Sequence, residues 1–483
     1  MDGMQQVETS AEVIAAALAK QRAAYLDEGF VTANVRKDRL RRALACLMDH
    51  KDEYIRLISE DFGNRSAETT LFADVVASAG ALKDAIKHVD KWMKPSKRSL
   101  QFPLGLLGAR AEVVPQPKGV VGLITPWNFP LGMVFIPLAQ MLAAGNRVMI
   151  KPSEFTPRTS AFFREVFSEN FDESEVCVIN GAVETSQGFA SQPWDHLMFT
   201  GAPAVGKLIM KAASENLTPV TLELGGKSPV VVGKSADLDA VADRVATMKH
   251  MNAGQICLAP DYLNIDKGRR DEFVSTYTKS VEKMYPSMLS NDEYTSIIST
   301  RHRERIEGYI EDARAKGADV RVINPAEEDF KGQNQANKIP STLILDATDE
   351  MDVMQNEIFG PVLPVRTYEK TEDVIDYVNA HERPLALYYF GSDKAEEREV
   401  LTRTTSGGVT VNDVLWHGAH ENLPFGGVGN SGIGHYHGYD GFLEFSHQKS
   451  VLRHPKMSIG ALLGVVPPYT DKLRKNMERQ LKN

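Results

Sequence analysis

Residues 119–151 read GVVGLITPWNFPLGMVFIPLAQMLAAGNRVMIK. No charge falls between Gly119 and Asn146, a span of 28 residues that is long enough to cross a bilayer. Pro126, Asn128, Pro130 and Pro137 lie inside it, and such breakers cut it into a short strand, a turn and a buried helix. A second apolar run, RVMI, follows at 147–150. The same punctuation continues through VCVI (176–179), HLMF (196–199) and VTLEL (220–224), with helix-like segments of about a dozen residues between them. Strands alternating with helices form βαβ units and a parallel sheet, and cover on both faces accounts for the nearly continuous apolar runs. The chain is therefore read as α/β. In such sheets ligands sit beyond the carboxyl ends of the strands. The stretches that matter are then Thr125–Pro130, Lys151–Glu154, Thr200–Gly206 and Glu223–Lys227.

Upstream, residues 10–95 carry helical faces: Leu40, Leu44 and Leu47 recur at i, i+4, i+7, and Ile55, Ile58 and Phe62 at i, i+3, i+7. Residues 99–117 mix apolar runs with Gly and Pro, as an extended hairpin does. Downstream, a second α/β region begins near Ser228. There Leu238, Val241, Val245 and Met248 mark a helix that leads into Asn252-Ala253-Gly254-Gln255-Ile256-Cys257. Asn324 to Pro340 reads as a surface loop. A Gly- and His-rich segment, LPFGGVGNSGIGHYHG (423–438), precedes a strand-like run to Leu452. The chain closes with SIGALLGVVPPY (458–469) and the basic amphipathic DKLRKNMERQLKN (471–483). The first of these is too short to span a bilayer. Packing on the body or a partner subunit is expected of it, with peripheral membrane contact as the alternative.

A length of 483 residues corresponds to about three domains or lobes. Charged residues are 25% and hydrophobic residues 42%, close to globular averages, which excludes a disordered, collagenous or coiled-coil whole. The net charge of −9 argues against nucleic acid as a partner. The N-terminus has no basic n-region and does not read as a signal peptide, so the expectation is a soluble, cytoplasmic protein without an integral membrane segment. Three cysteines (Cys46, Cys177 and Cys257) make no disulfide framework and suit a reducing compartment.

Cys46 on a Leu-rich helix and Cys177 in an apolar strand read as small core residues. Cys257 follows a flexible Asn-Ala-Gly stretch, and its context leaves nucleophile and core residue equally open. Glu223 lies in an apolar strand, where a carboxylate is costly unless paired or protonated. It is either an ion-pair partner or a general base with a raised pKa. Asn128 is either a turn or cap residue or an amide donor for an oxyanion. Phe199 to Gly206 reads strand end, glycine turn and helix start, a geometry that presents N–H groups to a phosphate, although its glycines do not form GxGxxG. Lys151 and Glu154 at another strand end suit a ribose or a plain surface pair. His417, His420, His435 and His437 crowd one segment without a ligand-spaced Cys or carboxylate, so no metal site is expected.

Together these segments resemble the aldehyde dehydrogenase superfamily from about residue 30 to 455. The likeness rests on WNFP (127–130), IKPSE (150–154), FTG with the glycine after it (199–206), LELGGKSP (222–229), GQIC (254–257), EIFGP (357–361) and PFGG (424–427). CLAPDYL (257–263), LPFGGVGNSGIGHYHG and GFLEFSH (441–447) are similar to the class-three branch and, within it, to bacterial coniferyl aldehyde dehydrogenases. The resemblance implies a Rossmann-type parallel-sheet cofactor domain (1–98 with 118–224) and an α/β catalytic domain (225–428). It adds a small bridging β element (99–117 with 444–453) and a tail (454–483). It further implies Cys257 as nucleophile, Glu223 as general base and Asn128 as oxyanion donor. For the cofactor it implies Trp127, Lys151, Glu154, Gly201, Gly206, Glu357 and Phe359. The implied activity is NAD-dependent oxidation of a small-molecule aldehyde, aromatic in the manner of coniferyl aldehyde, to the acid through a thiohemiacetal and a thioester. A homodimer is implied.

This chain departs from many relatives in having Ala202-Pro203 where they have Ser-Thr, and Leu258 where they have Ser or Thr. Glu154 opposes a 2′-phosphate electrostatically, which favours NAD while NADP stays the alternative. Three rivals stand beside this reading. A cysteine-dependent hydrolase needs a histidine aimed at the thiol, and His250 is the one nearby in sequence. A non-catalytic binding member of the fold would have no use for Cys257, Glu223 and Asn128 together. An acylating dehydrogenase that passes the thioester to coenzyme A is opposed by Glu223 as a hydrolytic base.

Overall fold

The computed structural model describes residues 7–102, 104–333, 336–458, 460–461 and 464–481. Met1–Gln6, Pro103, Asn334 and Gln335 of the expected loop, Ile459, Leu462 and Leu463 of the apolar run, and Lys482 and Asn483 of the tail lie outside that description. Three sheets organise the chain.

The 119–151 stretch folds as its breakers dictate. It forms a strand at Val120–Ile124, a turn, a helix at Gly132–Ala144 and a strand at Arg147–Lys151. Every residue of that helix except Met133 is buried. Its sheet runs, in spatial order, Gly432–Ile433, Val220–Leu224, His196–Gly201, Val120–Ile124, Arg147–Lys151 and Val176–Val178. All strand pairs are parallel except the first. From Val120–Ile124 the chain winds outward to one side, then returns to the other side at His196–Gly201. The two strands at this reversal splay their connections apart and leave a crevice at their carboxyl ends.

Only Gly225–Ser228 separate that sheet from the second. The second sheet runs Asp319–Ile323, Ser341–Leu345, Val362–Tyr368, Tyr262–Asp266, Pro229–Val232, Ala386–Phe390 and Gly408–Val411, with the first strand antiparallel. The third sheet pairs Arg110–Pro117 with Ser96–Arg98 on one side and, over eight positions, with Ser446–Arg453 on the other. The hairpin expected over 99–117 is thus a short strand at Ser96–Arg98, a run of turns and a strand at Arg110–Pro117, and the main partner of that second strand is remote in sequence. Part of the expected 324–340 surface loop is buried, because the Lys338 ammonium turns inward onto the carbonyls of Met288, Leu289 and Asn291. Near the C-terminus Val465, Val466, Tyr469, Met477 and Leu481 stay exposed, so they are not covered by this chain. Among the described residues no helix is long and apolar enough to cross a membrane.

Four helices, Ala11–Glu28, Ala33–Met48, Lys51–Phe62 and Ala77–Trp92, pack around the first sheet. Ser10 and Thr32 cap the first two through their hydroxyls. Buried Arg36 ties this layer to the helix Gly132–Ala144. Arg36 donates to Val31 O (3.1 Å) and to Ala143 O (2.8 Å), satisfying a carbonyl at the end of Gly132–Ala144. Gly145 closes that helix at φ 91°, and a Cβ there would sit 2.8 Å from Arg36 Cζ. Gly145→Ala should therefore destabilise the protein by about 2 kcal/mol or more, through backbone strain and displacement of Arg36. Urea unfolding followed by tryptophan fluorescence measures this.

Candidate active site

A cleft of about 400 Å³ opens where the carboxyl ends of the first sheet face the amino ends of the second. Pro126–Asn128 after Val120–Ile124, Thr200–Ala204 at the end of His196–Gly201 and Glu223–Gly225 at the end of Val220–Leu224 line one wall. Cys257 before Tyr262–Asp266, Glu357 and Phe359 before Val362–Tyr368, and Leu385 before Ala386–Phe390 line the other. The cleft thus gathers Cys257, Glu223, Asn128, Trp127, Gly201, Glu357 and Phe359. Lys151, Glu154 and Gly206 lie outside it.

Cys257 is presented by a strained turn. Asn252 (φ 51°), Ala253 (φ 52°) and Gly254 (φ 73°) are consecutive left-handed residues, a conformation that costs an ordinary residue about 1–2 kcal/mol. Gln255 holds the turn from both ends of its amide. Its Nε2 donates to Asn252 O and Ser296 O (3.0 Å each), and its Oε1 accepts from Ile298 N (3.0 Å). A Cβ at Gly254 would lie 2.5 Å from Gly360 O, so only glycine fits. The Asn128 amide reaches the same turn, donating to Gln255 O at 3.2 Å. An amide nitrogen carries two hydrogens, which leaves one for an oxyanion. Burial pushes the Cys257 thiol up to about 12, with the negative charges of Glu357 and Glu223 acting in the same sense. The backbone N–H groups of Cys257 and Leu258 oppose that rise.

The Glu223 carboxyl is buried, and neither oxygen has a hydrogen-bond partner. Burial holds it well above the usual carboxylate range, and Glu444 behind it adds repulsion. Glu357 is pushed up to about 8 by burial and then by Asp261, against a hydrogen bond from Gly226. A Cβ on Gly225 would stand 2.0 Å from Glu357 Oε2, so that glycine is what admits the carboxyl. Phe359 has φ 51°, and its segment is clamped from three sides. Arg305 donates to Glu357 O (3.2 Å) and Ile358 O (3.0 Å), Asp261 accepts from Ile358 N (2.9 Å), and Lys227 donates to Asn356 O (2.9 Å).

Two features of the cleft fit a dinucleotide. No side chain caps the helix Pro203–Ser214, whose first turn borders the cleft at Ala202–Ala204 and offers N–H groups and the positive end of its dipole to a diphosphate. Glu357 Oε1 is a buried acceptor without a partner, suited to a sugar hydroxyl. Lys151 is buried at the next strand end, its ammonium 3.1 Å from Glu154. Gly206 does something different: a Cβ there would lie 2.6 Å from Leu224 Cδ2, so it lets the helix pack on the strand.

Sequence reasoning passed over His302, Arg305 and Tyr309, which line the cleft from the helix Thr300–Ala315. Their i, i+3, i+7 spacing was the available signal. His302 packs on Trp127 (5.4 Å between ring centroids) and Phe155 (5.6 Å), and burial pushes it down to about 4, so its ring is neutral. His250 faces the core instead, bonded to Ala246 O (2.7 Å) among Tyr277, Tyr285 and Tyr294. His417 bonds Thr410, and His437 stacks on Phe425.

The model of the aldehyde dehydrogenase family matches residues 4–451. The protein named "Probable coniferyl aldehyde dehydrogenase" of Caulobacter vibrioides is 53% identical over 466 residues, covering 96% of each chain. Coniferyl aldehyde dehydrogenase of Pseudomonas sp. strain HR199 is 51% identical, covering 93% of this chain and 92% of its own. The crystal structure of Mycobacterium tuberculosis aldehyde dehydrogenase complexed with NAD+ superposes with a TM-score of 0.83 at 30% identity, covering 94% of this chain and 92% of that one.

The raised Glu357 carboxyl has a stability consequence. The folded protein keeps this proton up to about pH 8, whereas the unfolded chain releases it near 4.5. Its contribution is therefore intact below pH 4.5 and is lost as pH rises through 8. Glu357→Gln cannot ionise, so its melting temperature should exceed that of the wild type at pH 9. The gap should close towards pH 5 in melts recorded across that range.

Proposed function

The chain belongs to the aldehyde dehydrogenase family and oxidises an aldehyde with NAD(P), and from that premise we propose that Cys257 is the nucleophile, Asn128 the oxyanion donor and Glu223 the hydrolytic base. The observation that carries this reading is the convergence of those three side chains in one cleft, from three separate segments of the chain. Lys151 and Glu154 hold the adenosine ribose, the N-terminus of Pro203–Ser214 holds the diphosphate beyond Gly201, and Glu357 takes the second ribose. Phe359 and Trp127, 5.4 Å apart between centroids, confine the nicotinamide. Bound there, the cofactor supplies the hydride acceptor that no side chain provides. The carboxylate of Glu154 repels a 2′-phosphate, which favours NAD over NADP.

The residues act in a fixed order. The Cys257 sulfur attacks the aldehyde carbon, and the charge that develops on oxygen is met by Asn128 Nδ2 and the Cys257 backbone N–H. The negative charges of Glu357 and Glu223 raise the thiol, so a thiolate forms most readily while both carboxyls stay protonated. Once the sulfur is bound as a thioester it carries no charge. Glu223 then ionises more easily and takes a proton from the water that attacks the acyl carbon, releasing the acid and the free thiol.

We assign the substrate to aromatic aldehydes of the coniferyl type, on the strength of relatives at 51–53% identity over nearly the whole chain and of a cleft rimmed by Trp127, Phe425 and Tyr436. Residues 1–98 with 118–224 form the cofactor domain, 225–428 the catalytic domain, 99–117 with 444–453 the bridging element and 454–483 the tail. Ser446–Arg453 is an edge strand, and its free side suits pairing with a second copy in a homodimer, which light scattering on the purified protein tests. Three free cysteines, one of them the nucleophile, suit the reducing cytoplasm.

With NAD and coniferyl aldehyde, purified protein should form NADH, and Cys257→Ala should form none. Silence with coniferyl aldehyde but turnover with aliphatic aldehydes would overturn the substrate class alone. Asn128→Ala should lower kcat about 10²–10³-fold. Glu223→Gln should give one burst of NADH per site and then stall, with the acyl group detectable on Cys257 by intact-protein mass spectrometry. In the wild type the steady rate should climb with pH well beyond the ordinary carboxylate range, following ionisation of Glu223.

A further inference from the structure

Beside the cleft a charged pair is sealed from water. The side chains of Arg65 and Asp74 are both 0% exposed, with Arg65 Nη2 2.6 Å from Asp74 Oδ2. Asp74 lies in a π-helical turn, Leu71–Val76, in which Leu71, Phe72 and Val76 are exposed while Val75 and the one carboxylate are buried. Exposing apolar groups and burying a charge are both unfavourable, and π-turns are frequent at functional sites. Replacing such a pair with apolar residues is commonly neutral or stabilising, so stability does not explain it.

Its contacts lead to Asn128. Arg65 Nη1 donates to Asn128 O at 2.9 Å, and Asp74 Oδ1 accepts from Leu131 N (3.1 Å) and Gly132 N (2.9 Å), the start of the helix that follows Asn128. The guanidinium carbon stands 5.0 Å from the ring centroids of both Phe62 and Phe129, which fixes its plane. Asn128 O also accepts from Asn252 Nδ2 (3.0 Å), tying it to the strained turn before Cys257. The backbone from the Asn128 carbonyl to Gly132 is thus fastened to one ion pair, while the Asn128 side chain stays unclamped except for the long bond to Gln255 O.

We infer that Arg65 and Asp74 are positioning residues for the oxyanion step, holding the Asn128 amide at the place where the thiohemiacetal oxygen acquires charge. The inference rests on the oxyanion reading of Asn128. Neither residue touches the reacting atoms, and an offset of about 1 Å in a catalytic donor costs up to a hundredfold in rate.

The test is a kinetic cycle. Asp74→Asn keeps the acceptor for Leu131 and Gly132 but removes the charge, and Arg65→Met removes its partner, so the double variant leaves no orphaned buried ion. Arg65→Lys keeps the charge, loses the fork and serves if the double variant does not fold. Rates are expressed per folded site by titrating the Cys257 thiol. Either variant should lower kcat about tenfold to a hundredfold with KM for aldehyde and Kd for NAD unchanged. In an Asn128→Ala background the same substitutions should lower kcat no further, because the donor they position is already gone. A full additional loss in that background would overturn the proposal, as would a lower melting temperature with kcat intact. An unchanged kcat in Asn128→Ala alone would overturn the oxyanion reading, and the role of the pair with it.

Discussion

The site depends on how closely two sheets approach across Gly225–Ser228. The carboxyl ends of one and the amino ends of the other meet over four residues. At the tightest point the absent Cβ of Gly225 leaves room for the Glu357 carboxyl. Gly226 is nearly as constrained, because a Cβ there would meet Leu385 N at 3.3 Å. A larger residue in this link would push Glu357 and Phe359 away from Glu223 and divide the cleft. The Lys227–Asp261 ion pair, with Lys227 bonded also to Val353 O and Asn356 O, locks the approach from behind.

That closeness sets the electrostatics. Cys257, Glu223 and Glu357 line one cleft, and each is held towards its neutral form by desolvation. Arg305 lines the same cleft and, with Lys227, acts against the rise of Glu357, but its guanidinium is spent on the carbonyls of Glu357 and Ile358. Lys249 is buried nearby, but its ammonium is spent on Pro260 O, and burial lowers it to about 8. The arrangement favours one negative charge at a time, first on sulfur and then on Glu223. A single pocket thereby serves two steps that need opposite protonation states of the same carboxyl.

Much of this was legible in the sequence, for a local reason. Residues at or just beyond the carboxyl end of a parallel strand face the ligand edge, so the apolar runs at 119–124, 196–199 and 220–224 pointed to Asn128, Gly201 and Glu223 without knowledge of their partners. Cys257, Glu357 and Phe359 precede strands instead, and their meaning came from motif likeness. Helix-borne residues were the blind spot. His302, Arg305 and Tyr309 share one helical face, but a polar face looks the same whether it meets solvent or a cleft. Arg65 and Asp74 were hidden further, since a π-turn breaks the 3.6-residue spacing by which facing is judged. In the third sheet the residue pattern shows Arg110–Pro117 and the run to Leu452 as extended, but their pairing across more than three hundred residues was expected from motif likeness alone.

The sequence by itself determined the α/β class, the order of strands and helices, the buried helix within an uncharged stretch, and the family, because period, breakers and contiguous motifs are properties of neighbouring residues. Tertiary structure alone decided the rest: that two sheets oppose each other end to end, that Gly206 serves packing, that Lys338 turns inward, and that a sealed ion pair fastens the backbone of Asn128. These depend on distances between segments far apart in the chain. Such distances follow from how whole layers close on one another, and no local pattern encodes them.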